Sequence, residues 1–391
     1  MTTGAERASA ARGVLALCVA AAAMAAGACG GASHPGARAP GEVRGVEAAD
    51  LPYRVLRAHG GQEISWSAFL AELDRTEAVC VGENHRNPHD HWAQLQLVDQ
   101  LTARNRKSGV ATALGMEMFQ RPFQGVLDDF AARRIDEGAL LSRSGWKDRW
   151  GFDWSLYRPM VLMARDRGAA ILALNTPREL TKKVSRRGID HLDPGDRRQL
   201  PEMVLDDAEH RAWWDATMEE MGGAPGHSSS SHGDAHGDAE GDDDQAEGQA
   251  EGEGEEASGH HHHQAKDSEQ SARARARARA AEEAESKAAS ERIYAAQVLW
   301  DESMADGASA WLAAGKQSAA ASPSEKARRQ IIILAGNGHC HESAIVRRIE
   351  RRGVPAAVSV RPVIDDGEGS VAELLAAPEN DYLFVMTPPA R

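Results

Sequence analysis

Two histidines in this chain each close a short glycine-containing loop behind an apolar run. Ala78-Val79-Cys80-Val81 leads into Gly82-Glu83-Asn84-His85, and Ile331-Ile332-Ile333-Leu334 leads into Ala335-Gly336-Asn337-Gly338-His339. A third apolar run, residues 109–118, carries Glu117 near its end, and a fourth, residues 169–174, stops at Asn175. Imidazoles and carboxylates held side by side can ligate a divalent metal, move protons as general acid and base, or orient one another around a bound cofactor. Glu83, His85, Glu117 and His339 are therefore the candidate catalytic residues, and the same four are the candidate metal ligands. The glycines matter because they let backbone approach a ligand closely. The sequence has no Walker loop, no Gly-x-Ser-x-Gly elbow and no Cys-x-x-Cys-His haem attachment motif.

The elements that must position these residues follow from hydrophobic spacing. Short apolar runs bounded by glycine predict buried strands at 78–81, 109–118, 169–174, 331–334, 356–360 and 381–386. Helical spacing recurs between them, over 63–73, from His89 through Leu101, from Phe119 to Phe130, and over 157–165, 178–184, 196–221, 293–312 and 343–352. The alternation predicts an α/β fold with a largely parallel central sheet and helices on both faces. Right-handed crossovers then place every strand's carboxyl end on one edge, where such sheets bind ligands. Glu83, His85, Glu117, Asn175 and His339 are expected to converge there. The aromatic stretch 146–157 reads as a lid or a satellite core.

Arg7 and Arg12 precede an apolar run, 14–28, that ends in Ala26-Gly27-Ala28-Cys29. This has the parts of a secretory signal and is similar to a lipobox, so residues 1–28 are read as a lipoprotein-type signal peptide and Cys29 as the lipidated residue. Residues 29–50 follow as a flexible tether, giving a bacterial envelope protein held to a membrane, with plain secretion or a periplasmic location as the alternative. A formal charge of −14 argues against nucleic acid as a partner. Cys80 and Cys340 remain beyond the signal and are expected as two separate cysteines, one buried and one near the site.

Composition breaks at 222–281, a stretch rich in Gly, Ser, Ala, Asp and Glu that cannot bury enough apolar surface to order itself. It divides the folded domain into 51–221 and 282–391. His227, His232, His236 and His260 to His263 lie in it among carboxylates, a composition that binds divalent metals loosely. Its alternating Ala-Arg run, 272–279, is a strong helix former that extends the next helix.

Gly82-Glu83-Asn84-His85 with Asn87-Pro88 and His91 resembles the opening motif of the ChaN-like haem-binding lipoproteins. Glu117-Met118-Phe119 with Gln124, then 150–159, 173–178, 300–305, 336–339 and Gly353-Val354-Pro355, follow in that family's order. This chain has Arg86 where the family commonly has Asp, and Asp90-His91 where it often has a His pair. The family is grouped with the TIKI and TraB proteins and the erythromycin esterases. The resemblance implies an envelope lipoprotein that binds haem in haem or iron uptake, built as one α/β domain with a disordered insert. Haem requires an axial ligand, an apolar wall and cations for its propionates. His85, His91, His339 and Tyr157 are the candidate ligands, Trp150, Phe152 and Trp154 the wall, and Arg178, Arg86 or Arg158 the cations. Three readings stand: a haem carrier; a hydrolase in which His85 is the base, Glu83 and Glu117 orient it or hold a metal, and His339 protonates; and divalent-metal buffering by the insert. A homodimer is compatible with each.

Overall fold

The computed structural model describes residues 52–221, 264–316, 328–365, 367 and 369–387. The expected signal peptide, Cys29, the tether and the seven insert histidines lie outside the described residues. Eight strands form one sheet: β1 (Tyr53–Arg57), β2 (Gln62–Ile64), β3 (Ala78–Val81), β4 (Ala111–Gln120), β5 (Ala170–Asn175), β6 (Arg329–Leu334), β7 (Ala357–Ile364) and β8 (Tyr382–Met386), in the order β2-β1-β8-β7-β3-β6-β4-β5. From β8 to β5 every neighbouring pair is parallel, and β1 and β2 add an antiparallel hairpin at one edge. β3 and β4 follow one another in the sequence but do not pair, because β6, from a distant part of the chain, lies between them.

Period-two alternation sends successive residues to opposite faces, and both faces are covered. Ile332 and Leu334 pack with Val79, Val81, Leu114 and Met116 beneath helices Pro88–Ser108 and Trp154–Asp166. Ile331 and Ile333 pack on the other face with Ala78, Ala113, Leu174 and Met304 of the long helix Gln264–Lys316. Among the described residues, no helix is long and apolar enough to cross a membrane.

Several expectations are revised. Gln62–Ile64 is a strand paired with β1, so the helix expected over 63–73 begins at Trp66 behind the Ser65 cap. The helix expected over 196–221 is two pieces, Pro194–Arg197 and Ala208–Glu220, because Pro201 offers no backbone N–H and Asp207 caps a new start. Residues 264–281, assigned to the insert, are helical, and the Ala-Arg run extends the helix that follows. Trp146, Trp150 and Tyr157 belong to the main core rather than to a satellite.

The expectation of two separate cysteines is overturned. Cys80 and Cys340 form a disulfide, with Cα atoms 5.3 Å apart across a sequence separation of 260. Parallel pairing of β3 with β6 brings the start of one motif loop beside the end of the other, a proximity that sequence distance hides. Closing so long a loop removes much unfolded-state entropy, so replacing both cysteines by alanine should lower the unfolding free energy by about 2–5 kcal/mol, read from urea denaturation of the oxidised protein and the variant.

Candidate functional site

Both motif loops emerge from adjacent central strands. The ladder continues past their ends, with Ala335 N donating to Val81 O at 3.4 Å and Asn337 N to Glu83 O at 2.9 Å. Gly82 makes this possible: a Cβ there would lie 2.2 Å from Asn337 Oδ1. The first loop is stopped by Asn87, whose side chain accepts from His89 N, with Pro88 opening the helix. Asp90, on that helix's first turn, accepts from Asn84 N at 2.8 Å and from Asn87 Nδ2 at 3.0 Å. Burial pushes the Asp90 carboxyl up to about 7, against the lowering effect of those bonds.

At the floor of the edge, His85 Nδ1 lies 2.8 Å from Glu83 Oε1, which also accepts the Tyr157 hydroxyl at 2.6 Å. Glu83 is 1% exposed and Tyr157 fully buried, and burial beside this carboxylate pushes the phenol far above its ordinary range. Trp150 and Phe152 flank the His85 ring at centroid distances of 4.7 and 4.9 Å, and the Arg86 guanidinium lies over Phe152. Gly336 sits against the other side of that ring: a Cβ on it would be 3.1 Å from His85 Cε1, 3.4 Å from Nε2 and 3.7 Å from Glu117 Oε2.

Glu117 reaches the same point from β4. Its Oε2 accepts from Gly336 N at 2.7 Å, and its Oε1 lies 3.5 Å from His339 Nε2. His339 Nδ1 meets Asp301 Oδ1 at 2.6 Å, and Trp300 stands edge-on to its ring. Burial lowers both imidazole pKa values, but the Glu83 hydrogen bond and the Glu117 charge outweigh it at His85, and the Glu117 and Asp301 charges outweigh it at His339. Both histidines therefore titrate above their ordinary value.

The structure thus brings Glu83, His85, Glu117 and His339 together. The other candidates are taken up by neighbouring groups. His91 is turned inward, with Nε2 3.0 Å from His85 O and Nδ1 3.2 Å from Gln94 Oε1, so it buttresses the loop. Tyr157, expected as an axial ligand, is committed to Glu83. Arg178 donates to the Asp148 carbonyl and Arg158 pairs with Glu137. Trp154 also bonds Glu137, while Asn175 ends β5 opposite Gln120. Among the described residues, no three or more His, Cys, Asp or Glu side chains are arranged to hold a metal ion. Sequence reasoning missed Asp301 as a site residue. Its signal was an acid inside the apolar face formed by Ala296, Leu299, Trp300 and Met304.

Comparison with known proteins matches residues 69–356 to the family described as haem-binding uptake, Tiki superfamily, ChaN. The fold is similar to that of ChaN of Campylobacter jejuni, solved for its cofacial haem binding, with a TM-score of 0.53 at 14% identity over 86% of this chain and 97% of that one. Protein RETICULATA-RELATED 5, chloroplastic, of Arabidopsis thaliana is 28% identical over 130 residues, which are 32% of this chain and 17% of that protein.

A histidine whose pKa is higher folded than unfolded contributes stability that is full below about pH 6.5 and is lost as pH rises through the folded value. Wild-type stability should therefore decline from neutral to mildly alkaline pH. His339→Gln should flatten that decline, as read from urea midpoints across a pH series.

Proposed function

Because the chain belongs to the haem-binding-uptake ChaN family of the Tiki superfamily, we propose that it binds haem at the carboxyl edge of its sheet, with an imidazole of the His85–His339 pair as the axial ligand. The observation that carries the reading is the His85 environment: Nδ1 faces a buried carboxylate, Nε2 faces the convergence point with Gly336 and Glu117, and two aromatic rings pack on the imidazole. These residues fit an iron porphyrin. A carboxylate on Nδ1 fixes the ring and makes it a more basic ligand, and Trp150, Phe152 and Trp300 supply apolar and aromatic surface beside it. Bound haem would bring its iron chemistry. The chain's own part is to orient the imidazole, keep water from it and offer Arg86 as a cation near the rim.

Anchoring to the cell envelope through Cys29 is part of the same reading. It is supported by the basic, apolar and small-residue order of residues 1–29, and by the Cys80–Cys340 disulfide, a bond that persists in oxidising compartments. A second reading, hydrolysis by general acid and base, is favoured by one observation, the approach of two imidazoles to Glu117 from opposite loops.

A haemin titration followed by absorbance tests the first reading, using the protein and a form lacking residues 222–263, since a histidine tract alone can ligate haem. A saturable Soret shift is expected in both, weakened in His85→Ala or His339→Ala; no shift at micromolar haemin would sink the haem reading and leave the hydrolase to be screened. Fatty-acid labelling should mark the wild type and vanish in Cys29→Ala; label that persists in the variant would reject the anchor.

A further inference from the structure

We propose that Asp301 is a positioning residue that does for His339 what Glu83 does for His85, so that both histidines carry their proton on Nδ1 and turn Nε2 toward Glu117. The inference deepens the haem reading, and its first test does not depend on it.

Three observations carry the argument. First, His339 Nδ1 has two neighbours that compete for it, Asp301 Oδ1 at 2.6 Å and Gln297 Nε2 at 3.2 Å. A carboxylate only accepts and the amide nitrogen only donates, so the two make opposite demands on Nδ1; the carboxylate contact is much the shorter, and Gln297 Nε2 has Gly338 O at 2.9 Å as its own acceptor. Nδ1 is therefore the protonated nitrogen, donating to Asp301. Second, Asp301 is held in its turn. His210 Nε2 lies 3.1 Å from Asp301 Oδ2, and His210 Nδ1 faces two donors, the Tyr294 hydroxyl at 3.1 Å and Arg348 Nη2 at 3.3 Å. With the Arg348 guanidinium as donor to Nδ1, the His210 proton is assigned to Nε2, beside Asp301 Oδ2. Arg348 Nη1, 3.9 Å from Asp301 Oδ2, adds its charge. Third, Asp301, His210 and Arg348 are all 0% exposed, so the arrangement works without solvent.

The two halves of the site are built alike. Glu83 receives the Tyr157 hydroxyl and holds His85; Asp301 receives His210 and holds His339. A histidine ring held this way offers one nitrogen as a ligand or base, and the tautomer is set by the bond the other nitrogen makes. The carboxylates come from different parts of the chain, Glu83 from the loop itself and Asp301 from the long helix, so the likeness is one of geometry.

Asparagine at 301 has nearly the same shape but one acceptor and one donor where Asp301 takes two N–H groups. In Asp301→Asn either His339 or His210 must lose its partner. The test is long-range nitrogen–proton NMR of the histidine rings in the protein without haem, followed to the alkaline end of a pH series, where the rings are uncharged, with His339→Gln to assign the signal. The expected result is an Nδ1–H tautomer for His339 in the wild type and a changed or mixed one in Asp301→Asn. An Nε2–H tautomer in the wild type would overturn the proposal whether or not any variant folds. The second readout is haemin affinity, expected to fall about 10–100-fold in Asp301→Asn with the far-UV spectrum kept. A variant that binds haemin like the wild type while His339→Ala loses it would also overturn the assignment. If the wild type takes up no haemin, the haem reading fails alone, and the wild-type tautomer still decides the role of Asp301.

Discussion

Carboxylates held out of solvent beside and behind the sheet's carboxyl edge, Asp90 among them, are the constraint the rest of the structure meets. Glu83, Glu117, Asp301 and Glu302 are 1%, 2%, 0% and 0% exposed. An unpaired buried charge costs several kcal/mol, so each acid requires donors brought from other elements. Glu83 takes them from its own loop and from Tyr157, Glu117 from the backbone of the opposite loop, and Asp301 from two histidines. Glu302 accepts from Arg351 and from Val204 N, with the Arg352 and Arg348 guanidinium charges beside it. Helices distant in sequence are packed where they are because these bonds need them there.

The backbone supports this with little freedom. Gly82 and Gly336 let the two loops approach until side-chain and main-chain atoms of one touch the other, and Cys80–Cys340 ties the strand before one loop to the residue after the other. The histidines are consequently held from three directions: by a carboxylate on one ring nitrogen, by aromatic rings at the flank, and by a backbone tethered beside the loops by a covalent bond. Pre-organisation of this kind suits a site that must present a ligand atom in one orientation.

Much of this was legible in the sequence. Four consecutive apolar residues ending in glycine marked β3 and β6, and the position of Glu83, His85, Glu117 and His339 just at or beyond strand ends followed from the direction of a parallel sheet. What stayed hidden depended on contacts across the sequence. The hairpin β1–β2 was hidden because its strands are short and its polar residues face solvent. His91 and Tyr157 looked like ligands because nothing local reveals that a ring points inward. Asp301 lies within an apolar helical face, where it reads as an interruption, and only the approach of His339 and His210 gives its buried carboxylate a role. The cysteines gave no sign of pairing because their proximity is created by the β3–β6 register itself.

That register has a consequence for how the chain is made. β6 is central in the sheet and is flanked by β3 and β4, yet it is synthesised roughly two hundred residues after them. The N-terminal portion of the chain emerges with the edges of β3 and β4 facing a gap that their own neighbours cannot fill. Unpaired strand edges of this kind are where chains associate wrongly, and pairing over such separations is slow. Because β7 and β8 also follow β6 in the sequence, β3 awaits both of its neighbours and β4 all but β5 until late in synthesis, and the Cys80–Cys340 bond can close only after Cys340 has been made.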